Sequence, residues 1–370
     1  MMKCGRSRPI RKCSSSGSPA SSAAEALHLV LLRWYDANRR EMPWRDHPDP
    51  YAVWVSEIML QQTQVETVRG YFSRFVEAFP SVAVLAEAPQ QDVLKKWEGL
   101  GYYSRARNLQ RAAQVISAQG GRLPQDVEGW RALPGVGPYT AAAIASICFG
   151  VAVPVVDGNV IRVFARFLGW ADDFKVARGR ARLAAWLQPW VEASGRPGDF
   201  NQAMMDLGAT VCVPRAPACQ TCPLNDGCVA RREGRQAAFP SKPERKRLPL
   251  RQAVAVLLKD RAGRVLFVKR PEHGLLGGLW ELPNLEVSRV PTEHDALRVV
   301  VPAAGVVVTQ AVLRGTVAHV FSHFKQHVYV FEGTARKGRV RRDRMAAFCF
   351  AHPDELPLTT VARRALALCH

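Results

Sequence analysis

Four cysteines within seventeen residues constrain this chain more than any other feature it carries. Cys212, Cys219, Cys222 and Cys228 stand in C-x6-C-x2-C-x5-C, in "CVPRAPACQTCPLNDGC". Four thiolates drawn together by so short a loop can enclose a zinc ion or a [4Fe-4S] cluster, and coordination chemistry alone does not choose between them. The other five cysteines (Cys4, Cys13, Cys148, Cys349 and Cys369) are scattered. With no secretory signal peptide, this usage reads as a reducing compartment with one metal site.

A chain of 370 residues is too long for one ordinary core, so two domains are expected. No apolar run reaches the roughly 18–20 residues of a membrane-spanning helix, and no membrane partner is expected. Lys and Arg number 51 against 32 Asp and Glu, a formal net charge of +19. That surplus favours a polyanionic partner, nucleic acid before membrane. Residues 1–22 carry no acid and are rich in Arg, Ser and small residues, which suits a disordered basic tail. The composition mimics an organellar transit peptide without its amphipathic pattern. The expected location is the bacterial cytoplasm, with organellar import left open.

Helical periodicity dominates from about residue 23. Leu27, Val30, Leu31, Trp34 and Tyr35 form one stripe, Val160, Val163, Phe164, Phe167 and Leu168 a second, and Phe200, Ala203, Met204 and Leu207 a third. Residues 23–230 therefore read as all-α, including the cysteine loop at 212–228. The charged, proline-punctuated stretch 231–251 reads as a linker. In 252–368 the texture changes: "QAVAVLLKDRAGRVLFVKR" reads as two strands joined by a glycine-containing turn, and "GTVAHVFSHFKQHVYVFEG" as strands again. The expected fold is multidomain, all-α first and α+β second.

In "RALPGVGPYTAAAIA", Gly135 and Gly137 permit a tight turn, and Pro138 suits a first helical position. Amides at such a helix start attract an anion, and a DNA phosphate can be gripped there without reading a base. Two acids stand out beside it. Glu57 in "VSEIMLQQ" lies among apolar neighbours, where burial would raise its pKa. Asp157 in "VVDGNV" precedes a helix whose dipole favours an ionised carboxylate.

The order "SEIMLQQTQVETV", "WEGLGYYSRARNL", "LPGVGPYTAAAI", "VDGNVIRV", "NQAMMDLGATVC" and then the cysteine loop resembles the helix-hairpin-helix DNA glycosylases that carry an iron–sulfur cluster, and within them the MutY-type adenine glycosylases. The resemblance runs from about Arg39 to Cys228 and continues more weakly beyond. It implies a [4Fe-4S] cluster on Cys212, Cys219, Cys222 and Cys228, and a phosphate clamp at Gly135, Val136 and Gly137. It implies Glu57 as the acid that protonates the leaving base and Asp157 as the carboxylate facing the sugar, with Tyr139 assisting. Related glycosylase-lyases have a lysine where Tyr139 stands; a phenol cannot form an imine, so the chemistry should stop at an abasic site.

A base must leave the duplex before these groups can touch it. By resemblance, Gln62, Thr63 and Tyr102 are placed at the gap, and Arg40, Trp44, Asn159 and Gln202 around the extruded adenine. "HGLLGGLWELPN" (273–284) resembles the opening of a Nudix box, but no R-E-x-x-E-E run follows, so binding is expected there and not hydrolysis. The resemblance assigns this domain to reading 8-oxoguanine, with Phe321, Ser322 and His323 in the reading loop. The implied partner is double-stranded DNA bearing 8-oxoG·A or G·A mispairs, bound by a monomer. The alternatives are a thymine-mismatch or oxidised-pyrimidine glycosylase on the same scaffold, a lesion sensor, or a nucleotide hydrolase.

Overall fold

The computed structural model describes residues 26–45, 49–174, 176–241, 247–297, 307–336 and 348–369. The tail expected at 1–22 lies outside them. Twelve α-helices of the first domain fix the site: α1 Leu27–Asn38, α2 Pro50–Leu60, α3 Val65–Ala78, α4 Val82–Glu87, α5 Gln90–Trp97, α6 Ser104–Ala118, α7 Val127–Arg131, α8 Pro138–Phe149, α9 Gly158–Leu168, α10 Ala177–Ala193, α11 Pro197–Thr210 and the short α12 Val229–Arg232.

These helices enclose two cores that share α8. One gathers α2 to α7 around Trp54, Trp97 and Trp130, all fully buried; the other gathers α1 and α9 to α11 around Phe164, Phe200 and Met204. Burying a side chain such as Phe164 contributes about 1.5–3 kcal/mol. Helix α8 sends Ala141 and Ile144 to the first core and Ala142 and Ala143 to the second. Its small side chains let α2 and α11 approach from opposite sides. Close approach continues at Gly208, where a Cβ would lie 2.6 Å from Asn159 Cβ, so α11 presses directly on the start of α9.

Part of the stretch expected as a linker is packed instead. Phe239 is 4% exposed within the second helical core, and its carbonyl accepts a 3.2 Å bond from Arg166 Nε. An aromatic side chain that finds a core stays with it, whatever the charge of its neighbours.

The second domain is α+β. Strands β1 Leu250–Leu258, β4 Asn284–Val287, β5 Val307–Val320 and β6 Lys325–Arg336 form a sheet in the order β4-β1-β6-β5, with β1 and β6 parallel. Strands β2 Val265–Lys269, β3 Trp280–Glu281 and β7 Phe348–Ala351 form a second sheet in the order β3-β2-β7. The two strands joined by the glycine-containing turn, β1 and β2, belong to different sheets, with a Lys259–Val265 bridge and an Asp260 N to Arg264 O bond of 2.9 Å at the turn. A C-terminal helix, Thr360–Leu366, seals one side through Ala362, Ala365 and Leu366. Among the described residues, no helix is long and apolar enough to cross a membrane.

Candidate active site

Helix α2 starts with Asp49, whose carboxylate accepts from the Tyr51 and Ala52 amides, and with Pro50 at the first helical position. Its central turns are buried all round, which carries Glu57 to 5% exposure in mid-helix. Glu57 Oε2 is buried with no hydrogen-bond partner. Burial pushes its pKa up to about 7; the Tyr139 hydroxyl opposes the shift, the Asp157 charge adds to it, and Arg45 opposes it.

Asp157 caps α9, accepting from Val160 N at 2.7 Å and from Asn159 Nδ2 at 2.9 Å. Burial raises the pKa of this carboxyl, although the Val160 and Asn159 bonds and the charge of Arg162 pull it down. Desolvation outweighs the helix end.

Tyr139, in the first turn of α8, sits between these acids. Its hydroxyl donates to Met205 Sδ at 3.1 Å and lies beside the Glu57 carboxyl, and burial holds its pKa well above the usual phenol value. Glu57, Asp157, Tyr139, Trp44, Arg40, Thr63, Asn159 and Gln202 all line one cavity of about 610 Å³. Trp44 is 5% exposed and packs edge-on against Phe72 at 5.2 Å. Arg40 is not free to receive a base: its Nε and Nη2 bind Asp206 Oδ1 at 2.9 and 2.5 Å.

Asp206 and Arg45 were not singled out from the sequence. Asp206 is fully buried on α11 and also accepts from Arg45 Nη1 and Nη2 at 2.7 and 3.1 Å. Burial works against the Arg45 charge, and Asp206 more than offsets it, raising the Arg45 pKa. This triad closes the cavity beside Glu57 and keeps a fixed positive charge there. The available signal was an acid inside the buried stripe of α11, next to Leu207.

Gln62 and Tyr102 are not among the residues lining this cavity; they lie on two turns, the first of which reaches the cavity through Thr63. Gln62 (φ 61°) and Tyr102 (φ 47°) both adopt the left-handed conformation that non-glycine residues avoid, and Tyr102 is 50% exposed. Such strain, about 1–3 kcal/mol each, persists only where surroundings enforce it. The enforcer here is Arg105, another residue sequence reasoning passed over. Its guanidinium donates to the Ile58, Met59 and Gln61 carbonyls and to Thr63 Oγ1 on one side, and to the Leu100 and Gly101 carbonyls on the other. Thr63 thus serves the turn as well as the cavity wall.

In the hairpin before α8, Gly135 (φ 77°) is required, because a Cβ there would lie 2.5 Å from Asn108 Cβ. The other two members differ in setting. The Val136 side chain is 8% exposed in the first core and its amide donates to Leu133 O, while Gly137 is the α8 N-cap at an ordinary φ of −88° with open space where a Cβ would be.

The four cysteines line a single pocket with Arg166 and Gln236. Arg166 Nη1 donates to Cys212 Sγ at 3.4 Å and Gln236 Nε2 to Cys219 Sγ at 3.8 Å, contacts that suit thiolate sulfur. Among the described residues, no three ligating side chains converge as they would on a single metal ion. The all-sulfur donor set suits either a thiolate-held zinc ion or an iron–sulfur cluster. Arg162 joins this region to the acids, donating to Cys212 O and to Asn159 Oδ1, both at 2.8 Å.

Phe321, Ser322 and His323 form the tip between β5 and β6. Phe321 stacks on Phe324 at 4.5 Å, Ser322 Oγ lies 3.2 Å from His323 Nδ1, and both Ser322 and His323 are exposed. Phe321 and His323 border a second cavity of about 350 Å³.

Fold and site together define a two-domain protein with the architecture of helix-hairpin-helix base-excision repair enzymes. The family model described as "HhH-GPD superfamily base excision DNA repair protein" matches residues 55–189, and a NUDIX domain model matches 253–368. The adenine DNA glycosylase of Homo sapiens is 37% identical, covering 84% of this chain and 67% of that protein. That of Schizosaccharomyces pombe is 33% identical over 84% of this chain and 82% of its own length. A solved thermostable thymine-DNA glycosylase superposes with a TM-score of 0.51 at 28% identity, over 56% of this chain and 95% of that one. The chain belongs to the adenine DNA glycosylase family.

Proposed function

We propose that this protein excises adenine from duplex DNA where it faces 8-oxoguanine or guanine, by hydrolysis of the N-glycosidic bond that leaves an abasic site. Protonated Glu57 donates to the departing base, Asp157 as carboxylate stabilises the positive charge developing on the sugar, and water adds to the anomeric carbon. Tyr139 braces the two acids and offers no amine, so no Schiff base forms and the strand stays intact. The observation that carries this reading is Glu57: a buried carboxyl with an unpartnered oxygen and a pKa of about 7, in the same cavity as a helix-capping aspartate.

The Arg40–Asp206–Arg45 triad shapes the adenine pocket, Trp44 and Gln202 bound it, and Gln62 and Tyr102 enter the gap left by the extruded base. Gly135 and the start of α8 hold backbone phosphate. Phe321, Ser322 and His323 read the base opposite. The four cysteines hold a [4Fe-4S] cluster that ties the loop together.

Glu57→Gln and Asp157→Asn test the chemistry. Each is expected to lower single-turnover adenine release by at least about 100-fold while duplex binding is retained. Full activity in Asp157→Asn would sink the mechanism.

A further inference from the structure

The segment resembling the start of a Nudix box does other work in this structure. Its Gly277–Trp280 portion is buried, with Leu279 set against the helical domain. Leu279 is fully buried within the first helical core, and Leu276 packs beside it. Gln91 of α5 donates to Gly278 O at 3.1 Å and accepts from Trp280 Nε1 at 2.8 Å. Arg107 of α6 donates to Gly277 O at 2.5 Å. The loop therefore grips α5 and α6 at once.

Between those two helices runs the turn that ends in Tyr102. A second grip falls on its first residue. Arg363, in the C-terminal helix, donates from Nε to Glu98 Oε1 at 2.5 Å and from Nη2 to Glu98 Oε2 at 3.3 Å. Glu98 is 16% exposed and Arg363 32%, so the pair is partly shielded from solvent. Lys95 reinforces it, reaching Glu98 Oε2 at 3.0 Å and Leu356 O at 2.9 Å. From Glu98 to Tyr102 the chain has little freedom. Gly99, Gly101 and Tyr102 are all left-handed, and a Cβ on Gly99 would lie 2.1 Å from Tyr71 Oη. Glu98 thus holds the entry to the turn that ends at Tyr102.

We propose that Glu98 and Arg363 are a specificity-determining pair, through which seating of the 321–323 tip on the base opposite adenine sets the placement of Tyr102. The inference rests on the reading proposed above, in which that tip recognises 8-oxoguanine and Tyr102 enters the duplex. It treats the two domains as one instrument: the domain that reads the partner base holds the turn that opens the stack.

The test uses the full-length chain and single-turnover adenine release at saturating enzyme from 8-oxoG·A and G·A duplexes, with melting temperature and duplex affinity measured alongside. Arg363→Ala and the near-isosteric Glu98→Gln are each expected to lower the 8-oxoG·A rate about tenfold, the scale of a modest coupling between sites. The G·A rate, melting temperature and affinity should change little. The double variant should be no worse than either single one, because both abolish the same ion pair. Equal loss on both duplexes, or an unchanged ratio of the two rates in both variants, would overturn the pair's role and reduce it to a domain fastener. If the wild-type protein itself shows no preference for 8-oxoG·A, the functional reading fails first.

Discussion

At the scale of single residues, the central quantity is the protonation of Glu57. A carboxyl moved by burial from 4.5 to about 7 is partly protonated at neutrality and can donate. Single-turnover release should therefore fall by about tenfold per pH unit above roughly 7. The same shift has a stability consequence. Between pH 4.5 and 7 the folded chain binds a proton that the unfolded chain has released, so stability is full below about 4.5 and declines as pH rises through about 7, by about 3 kcal/mol in all. Glu57→Gln is expected to melt higher than the wild type at pH 8, with the advantage vanishing near pH 4.5; a pH-independent difference would mean the carboxyl is not shifted by burial. Glu57 and Asp157 were legible because each stands inside a short run of sequence that carries the family resemblance. Arg45 and Asp206 were not, since the pair is separated by 161 residues and neither partner signals the other. The upward shift of the Asp157 pKa was not legible for a related reason: a helix start is visible in sequence, whereas the depth at which it is buried is set by tertiary packing.

Elements place these residues, and Arg105 shows how. One guanidinium spans from the end of α2 to the turn before α6, fixing the carbonyls around Gln62 and those just before Tyr102. Burial lowers its pKa to about 10, which still leaves it charged at neutrality. A lysine is a single ammonium point and cannot serve both turns. Arg105→Lys is expected to slow adenine release by about 100-fold, as misplacement of a positioning group does, and to lower the melting temperature. A wild-type rate in a merely less stable protein would contradict the positioning role. Helical stripes made α1, α9 and α11 readable, and the strands flanking residues 321–324 were readable too. The partition of β1 and β2 between two sheets was not, because a polar glycine turn is compatible with a hairpin and with a crossing between sheets. Phe239 could not be assigned to the helical core in advance because its hydrogen-bond partner Arg166 lies on α9, far away in sequence.

Across the whole molecule, two domains converge on one turn. The division into a helical and an α+β part was apparent from the change in periodicity, but the docking of Leu276–Trp280 was hidden behind its likeness to a Nudix box. Only the tertiary contacts with Gln91, Arg107 and the first core reveal that this loop fastens the domains. The net charge of +19 suits a polyanionic duplex without saying which lesion it carries. The most direct test of the central claim is single-turnover base release from 8-oxoG·A, G·A, G·T and thymine-glycol duplexes, each scored for strand scission with and without alkali. Adenine release that is fastest from 8-oxoG·A, with scission only after alkali, is the expected result. Thymine release without adenine release, or scission before alkali, would contradict it.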